Sequence, residues 1–233
     1  MYALPLIPQE EMYLLKLDSP YPEPDIFLKV LNNSSRIGRE VLASLLLTEG
    51  VPRAFAKCPS VYEFIRKWLS AQMGIHVKQI TLLGSARMGY SLSPYKFGKK
   101  FSSNSDLDLS IISECIFNIL RKEAYRFIHD YKNMNIIPDT DRKRLFWEEN
   151  VKFLERNLPY GFIDVNKVPY IKERYPYCQY LGNLMWRLKE KINVTPNAPN
   201  IEKVSLRIYN KWSSLIDRVS FNLKCLRNKI KKP

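Results

Sequence analysis

Two stretches decide the reading of this chain: ITLLGSARMGY at residues 80–90 and NSDLDLSIIS at residues 104–113. The first is an apolar strand that runs into a Gly84-Ser85 turn. The second is a strand that carries Asp106 and Asp108. Residues two apart on a strand point to one face. Both carboxylates therefore aim one way, and Leu107 and Leu109 aim the other way into a core. Adjacent carboxylates repel unless a cation lies between them. Hard oxygen ligands of this kind suit Mg²⁺. A Gly-Ser turn alongside can bring backbone N–H groups to a phosphate.

The elements around this centre follow from periodicity and punctuation. Residues 1–30 hold Pro5, Pro8, Pro20, Pro22 and Pro24 and read as an extended arm with one short helical turn. Residues 35–48 read as a helix stopped by Gly50 and Pro52. Ser60 to Glu63 has a capping-box pattern, and Val61, Phe64, Ile65, Trp68 and Leu69 recur at helical spacing up to Gly74. A strand is expected at 77–83. The segment 86–105, with Pro94, Lys96, Gly98, Lys99 and Lys100, reads as an inserted loop. The aspartate strand spans 106–112. Ser113 is the expected N-cap of a helix over 114–131. A helix at 140–157 is expected to contain Leu145, Phe146, Val151 and Leu154. A turn at 159–161 then leads into a short strand at 162–165. Gln179 to Ile192 is amphipathic. After the break at 195–199, residues 202–229 read as one long basic helix. The expected fold is α/β (α+β), a small mixed sheet flanked by helices with helical N- and C-terminal extensions. The expected divisions are an arm and helix at 1–58, a core at 59–170 and a basic helical region at 171–233.

Gly84-Ser85 followed by Asp106-Leu107-Asp108, each on an apolar strand, resembles the nucleotidyltransferase superfamily with the DNA polymerase beta-like fold, and its small stand-alone bacterial members in particular. The resemblance covers about residues 60–170, and the segment between turn and aspartates is longer than the usual spacer. It implies transfer of a nucleoside monophosphate from a triphosphate to a hydroxyl, supported by Mg²⁺ or Mn²⁺. It implies metal-holding roles for Asp106 and Asp108, with Asp164 in Phe-Ile-Asp-Val as the third carboxylate. Ser85 and the N–H groups around Gly84 would meet the phosphates. Arg87 would reach a triphosphate oxygen with its forked donor, and Lys99 and Lys100 would steer it. Toxin–antitoxin and antiviral-defence settings are associated with such transferases.

Charge points to the same class of partner. The formal charge is +14 and the pI about 9.6, a field that attracts polyanions. Lys211, Arg218, Lys224 and Arg227 in the last segment, with Lys231 and Lys232 beyond them, suggest a track for an acceptor RNA, a tRNA end being the first to consider and a protein hydroxyl the next. Tyr209 and Trp212 are candidates to stack bases. Two alternatives stand beside transfer to RNA or protein: a synthase of cyclic or linear oligonucleotide messengers, and a non-catalytic nucleotide or RNA binder. Cys58, Cys115, Cys178 and Cys225 form no Cys-x-x-Cys unit, which argues against zinc. No leader pattern or membrane-length apolar run is visible, so a cytoplasmic setting without membrane contact is the expectation.

Overall fold

The computed structural model describes residues 6–17 and 19–230. Residues 1–5 of the expected arm, and Lys231 and Lys232 of the expected basic track, lie outside the described residues. The architecture is a small mixed sheet with helices on both faces. Helices α1 (Pro24–Asn33), α2 (Arg36–Thr48) and α3 (Pro59–Met73) precede strand β1 (Ile80–Leu83). The short helix α4 (Gly84–Met88) leads toward β2 (Asp106–Ile112). Helices α5 (Glu114–Lys132) and α6 (Asp141–Asn157) come before β3 (Phe162–Asp164). Helix α7 (Pro176–Asn193), strand β4 (Lys203–Tyr209) and helix α8 (Trp212–Ile230) complete the chain.

The strand order is β1-β2-β4-β3. β2 pairs antiparallel with β1 and parallel with β4, which pairs antiparallel with β3. The expectation of one helix over 202–229 is therefore corrected. Residues 203–209 alternate polar and apolar, and Val204, Leu206 and Ile208 are buried on one face. Only from Trp212 onward is the segment helical. The division expected at residue 170 does not separate the sheet, because a strand from beyond it lies between β2 and β3.

Alternation on the strands produces two cores. Leu82, Leu107, Leu109, Leu206, Ile208 and Ile163 join buried residues of α3, α5, α6 and α7 on one face. Ile112, Phe162 and Tyr209 join Phe27, Leu31, Leu42, Leu215 and Leu223 of α1, α2 and α8 on the other. Burial of this apolar surface, at roughly 25 cal/mol per Å², is the dominant stabilising term.

Local signals account for several helix ends. Ser113 accepts from the Ile116 N–H and Thr140 from the Lys143 N–H, as N-caps do. Gly74 closes α3 in the left-handed region at φ +64°. Ser60 is not a cap: α3 begins one residue earlier at Pro59, with Cys58 in the N-cap position, and Glu63 pairs with Arg66 instead. Proline at a first helical position loses no bond, which favours that start. Phe64, Leu145 and Phe146 face solvent, because Tyr62, Ile65 and Leu69 on α3 and Trp147, Val151 and Leu154 on α6 fill the core instead. Buried Glu123 on α5 accepts from the Tyr177 and Cys178 N–H groups, both at 2.8 Å, and caps the start of α7 with negative charge.

The segment after α4 folds back on itself. Tyr90 and Lys100 form an antiparallel bridge, and Phe101 N–H donates to Gly89 O at 2.8 Å. This side hairpin leaves the β1–β2 pairing intact, with Leu83 opposite Asp108.

Leu206→Ala should destabilise the protein by about 2–5 kcal/mol. Leu145→Ala, at an exposed site, should fall within about 0.5 kcal/mol of wild type. Urea unfolding measures both, and equal small effects would contradict the central position of β4.

Candidate functional site

One sheet face changes character along its length. Toward Ile112 and Tyr209 it is apolar and covered by helices. At the opposite end, β2 presents Asp106 and Asp108, and β4 presents Lys203, Ser205 and Arg207 opposite or near them in register. Leu107 and Leu109 are buried on the reverse side, as the alternation requires. The two aspartates thus share a face, Asp106 exposed and Asp108 half-buried.

Asp108 is held from two directions. Its Oδ1 accepts the Ser205 hydroxyl at 2.6 Å. Its Oδ2 lies over Gly84, where an added Cβ would stand 2.5 Å from it. Gly84 also has φ +66°, a conformation that disfavours side chains. The bend before Ser85 and the Asp-x-Asp strand therefore abut through a contact that only glycine accommodates. Ser85 is half-buried beside it at the start of α4.

Burial raises the Asp108 carboxyl above the usual carboxylate range, and the negative charges of Asp106 and Asp164 add to the rise. The Ser205 hydrogen bond and the Arg207 charge offset part of it. Three acids and one guanidinium thus share one electrostatic neighbourhood.

Asp164 ends β3, opposite Arg207, and accepts from Arg207 Nη2 at 3.3 Å. Its Oδ1 is buried and has no hydrogen-bond partner among the described residues. Because β4 intervenes, Asp164 sits two strands from β2 and two residues out of step with Asp108. Strand spacing and rise put the two backbones about 12 Å apart. Among the described residues no group of three His, Cys, Asp or Glu converges to hold a metal ion. The expected trio is therefore a pair plus a third acid committed to an arginine. The pair by itself matches the way Mg²⁺ is held, by one or two carboxylates with water and phosphate oxygens filling the other positions.

The other expected residues divide. Arg87 does not face the carboxylates: it is buried and donates to the carbonyl oxygens of Leu46 at 2.8 Å, Gly50 at 3.0 Å and Glu49. A cation on the last carbonyls of α2 is a brace for that helix end. Lys99 and Lys100 are exposed on the side hairpin. Lys211, Arg218 and Lys224 line one cleft of about 930 Å³, at the apolar end of the same sheet face. Arg227 instead donates to Ser34 O at 2.7 Å. Tyr209 is fully buried and cannot stack a base, whereas Trp212 is exposed. Ser205 and Arg207 are residues that sequence reading missed. The polar positions of the alternating run 203–209 were the signal for them.

No protein-family model, curated protein or solved structure matches the chain. No helix among the described residues is long and apolar enough to cross a membrane.

The raised Asp108 carboxyl fixes the sign of a stability effect. In the window between the ordinary aspartate pKa of 3.8 and its raised folded value, the folded state holds the proton more tightly than the unfolded chain. Stability from this group therefore falls as pH rises through that window. Asp108→Asn keeps the acceptor for Ser205 and removes the charge. It should raise the melting temperature at pH 7 and leave it nearly unchanged at pH 3, where wild type is protonated. Thermal scans at the two pH values check this, and a lower melting temperature for the variant at pH 7 would contradict it.

Proposed function

We propose that this chain is a metal-dependent nucleotidyltransferase of the DNA polymerase beta-like kind, which moves a nucleoside monophosphate from a nucleoside triphosphate to a hydroxyl acceptor. The observation that carries the reading is the abutment of Gly84 on Asp108 Oδ2. It sets the bend that leads into Ser85 directly against one acid of the Asp-x-Asp strand. The basic field of the chain supports a polyanionic substrate.

In this reading Asp106 and Asp108 hold Mg²⁺ or Mn²⁺, which when bound neutralises phosphate charge and favours the departure of pyrophosphate. Ser85 and the adjacent backbone N–H groups orient the triphosphate tail. The acceptor hydroxyl forms a new bond to the α-phosphorus and gives its proton to solvent water as the bond to the pyrophosphate oxygen breaks. Asp164 fixes the Arg207 guanidinium at the middle of the face, a forked donor suited to a phosphate oxygen. RNA is the acceptor to test first, since the chain carries a formal charge of +14. A protein hydroxyl is the next.

One observation favours a second reading, a non-catalytic nucleotide or RNA binder: no third acid joins the aspartate pair among the described residues. The two readings part in a labelling assay. Purified protein with Mg²⁺ or Mn²⁺ and each labelled triphosphate in turn is incubated with total cell RNA and cell protein. A transferase labels an acceptor and releases pyrophosphate. Asp106→Ala and Asp108→Ala, with unchanged circular dichroism, should slow turnover by about 10³-fold, equivalent to ~4 kcal/mol of barrier. A labelled small oligonucleotide formed without acceptor would shift the reading to a messenger synthase. No product with any triphosphate would favour the binder.

A further inference from the structure

The cleft at the apolar end of the sheet face has a charge balance that its surroundings do not satisfy. It is walled by α2, α8 and the chain entering β3, and its volume is about 930 Å³. Arg36 pairs with Glu40 at 2.9 Å, which neutralises both. That leaves Arg39, Arg156, Lys211, Arg218 and Lys224 facing one other carboxylate, Asp217. Among the described residues none of these five cations is in a salt bridge.

Two of them lose water at a cost, Arg39 almost wholly and Arg218 in part. Arg39 is only 7 % exposed, and its Nε finds no acceptor among the described residues. The buried Nε of Arg218 is likewise without a partner there, and its guanidinium packs 5.0 Å from the Phe162 ring and 5.7 Å from the Phe221 ring. Burial lowers the pKa of both arginines, and a second arginine near each, Arg227 and Arg207 respectively, adds to it. Buried guanidinium groups without counter-charge are expensive unless an anion joins them. Exposed Tyr160 and Phe221 line the same cleft and offer ring faces.

We infer that this cleft binds a compact polyphosphate anion, the phosphate chain of a free nucleotide or an inorganic polyphosphate. A cleft of this volume is about 10 Å across if equidimensional, the size that takes a nucleotide-scale ligand rather than a nucleic-acid duplex. Buried Phe162 and Arg39 and half-buried Arg218 all line it. The site is distinct from the carboxylate pair. Tyr209, whose ring lies 5.6 Å from that of Phe162 in the lining, is four residues along β4 from Ser205, about 13 Å at the usual strand rise. The inference does not rest on the transfer reading and stands if the aspartates prove inert.

Calorimetric titration of the full chain at low salt without divalent cations tests it, with tripolyphosphate and ATP as probes. Wild type should bind both. The double variant Arg156→Glu/Lys224→Glu changes two exposed side chains and should keep its melting temperature. It should bind about a hundredfold more weakly, about tenfold for each lost cation. ATP binding more tightly than tripolyphosphate, with the difference lost in Phe221→Ala, identifies a nucleotide. Equal affinities identify the inorganic chain. The inference is overturned if wild type binds neither probe or if the double variant binds as well as wild type. It is also overturned if Asp106→Asn/Asp108→Asn abolishes the binding, or if single-stranded RNA binds where tripolyphosphate does not.

Discussion

The parallel pairing of β2 with β4 is the contact on which the rest of the molecule depends. Seven residues of each strand are in register, from Asp106 opposite Lys203 to Ile112 opposite Tyr209. Parallel neighbours cannot be joined by a tight hairpin and need a crossover. Here the crossover holds α5, α6, β3 and α7, and with α3 it supplies the apolar residues that cover one sheet face. The pairing brings the Ser205 hydroxyl to Asp108 and places Arg207 where Asp164 can reach it. Without it, the acids of β2 and β3 would belong to unrelated pieces of chain.

The cover of the other face is partial. Helices α1, α2 and α8 bury Ile112, Phe162 and Tyr209 but leave Asp106 exposed. Between the two ends lies Arg207, in contact with the Phe162 ring at 5.5 Å and with Asp164 at 3.3 Å. Burial alone would lower its pKa, but the neighbouring Tyr209 and Asp164 carry it upward. The guanidinium stays charged at the boundary between wet and dry halves. The cleft that Phe162 lines adds Lys211, Arg218 and Lys224 beside it.

Much of this was legible in the sequence wherever the signal was local. The Asp-x-Asp strand, the cap at Ser113, the helix start near Thr140, the stop at Gly74 and the amphipathic run in α7 all follow from neighbours a few residues apart. The strand β4 was not legible in the same way. Lys203-Val204-Ser205-Leu206-Arg207-Ile208-Tyr209 alternates cleanly, but it precedes a true helix, and Leu206 and Tyr209 also fit a helical stripe running on to Leu215. Pairing with a partner 97 residues away, as Ser205 does with Asp108, leaves no local trace. Arg87 failed for a similar reason. Its spacing from Gly84 suits a phosphate, but the carbonyls that capture it belong to α2, some forty residues earlier. Lys211, Arg218 and Lys224, expected on a track, follow the strand and line one cleft.

The meeting of Gly84 with Asp108 has a mechanical meaning. A bare α-carbon at one position and a short acid at the other fill the same few cubic ångströms, so the two behave as a single part. Lengthening the acid by one methylene would push the bend outward. Swinging the bend away would strip the acid of a wall and admit solvent. Any breathing of α4 is therefore felt at the carboxylate as a change in local polarity, and a molecule that clamps the bend also sets how strongly that acid holds its charge.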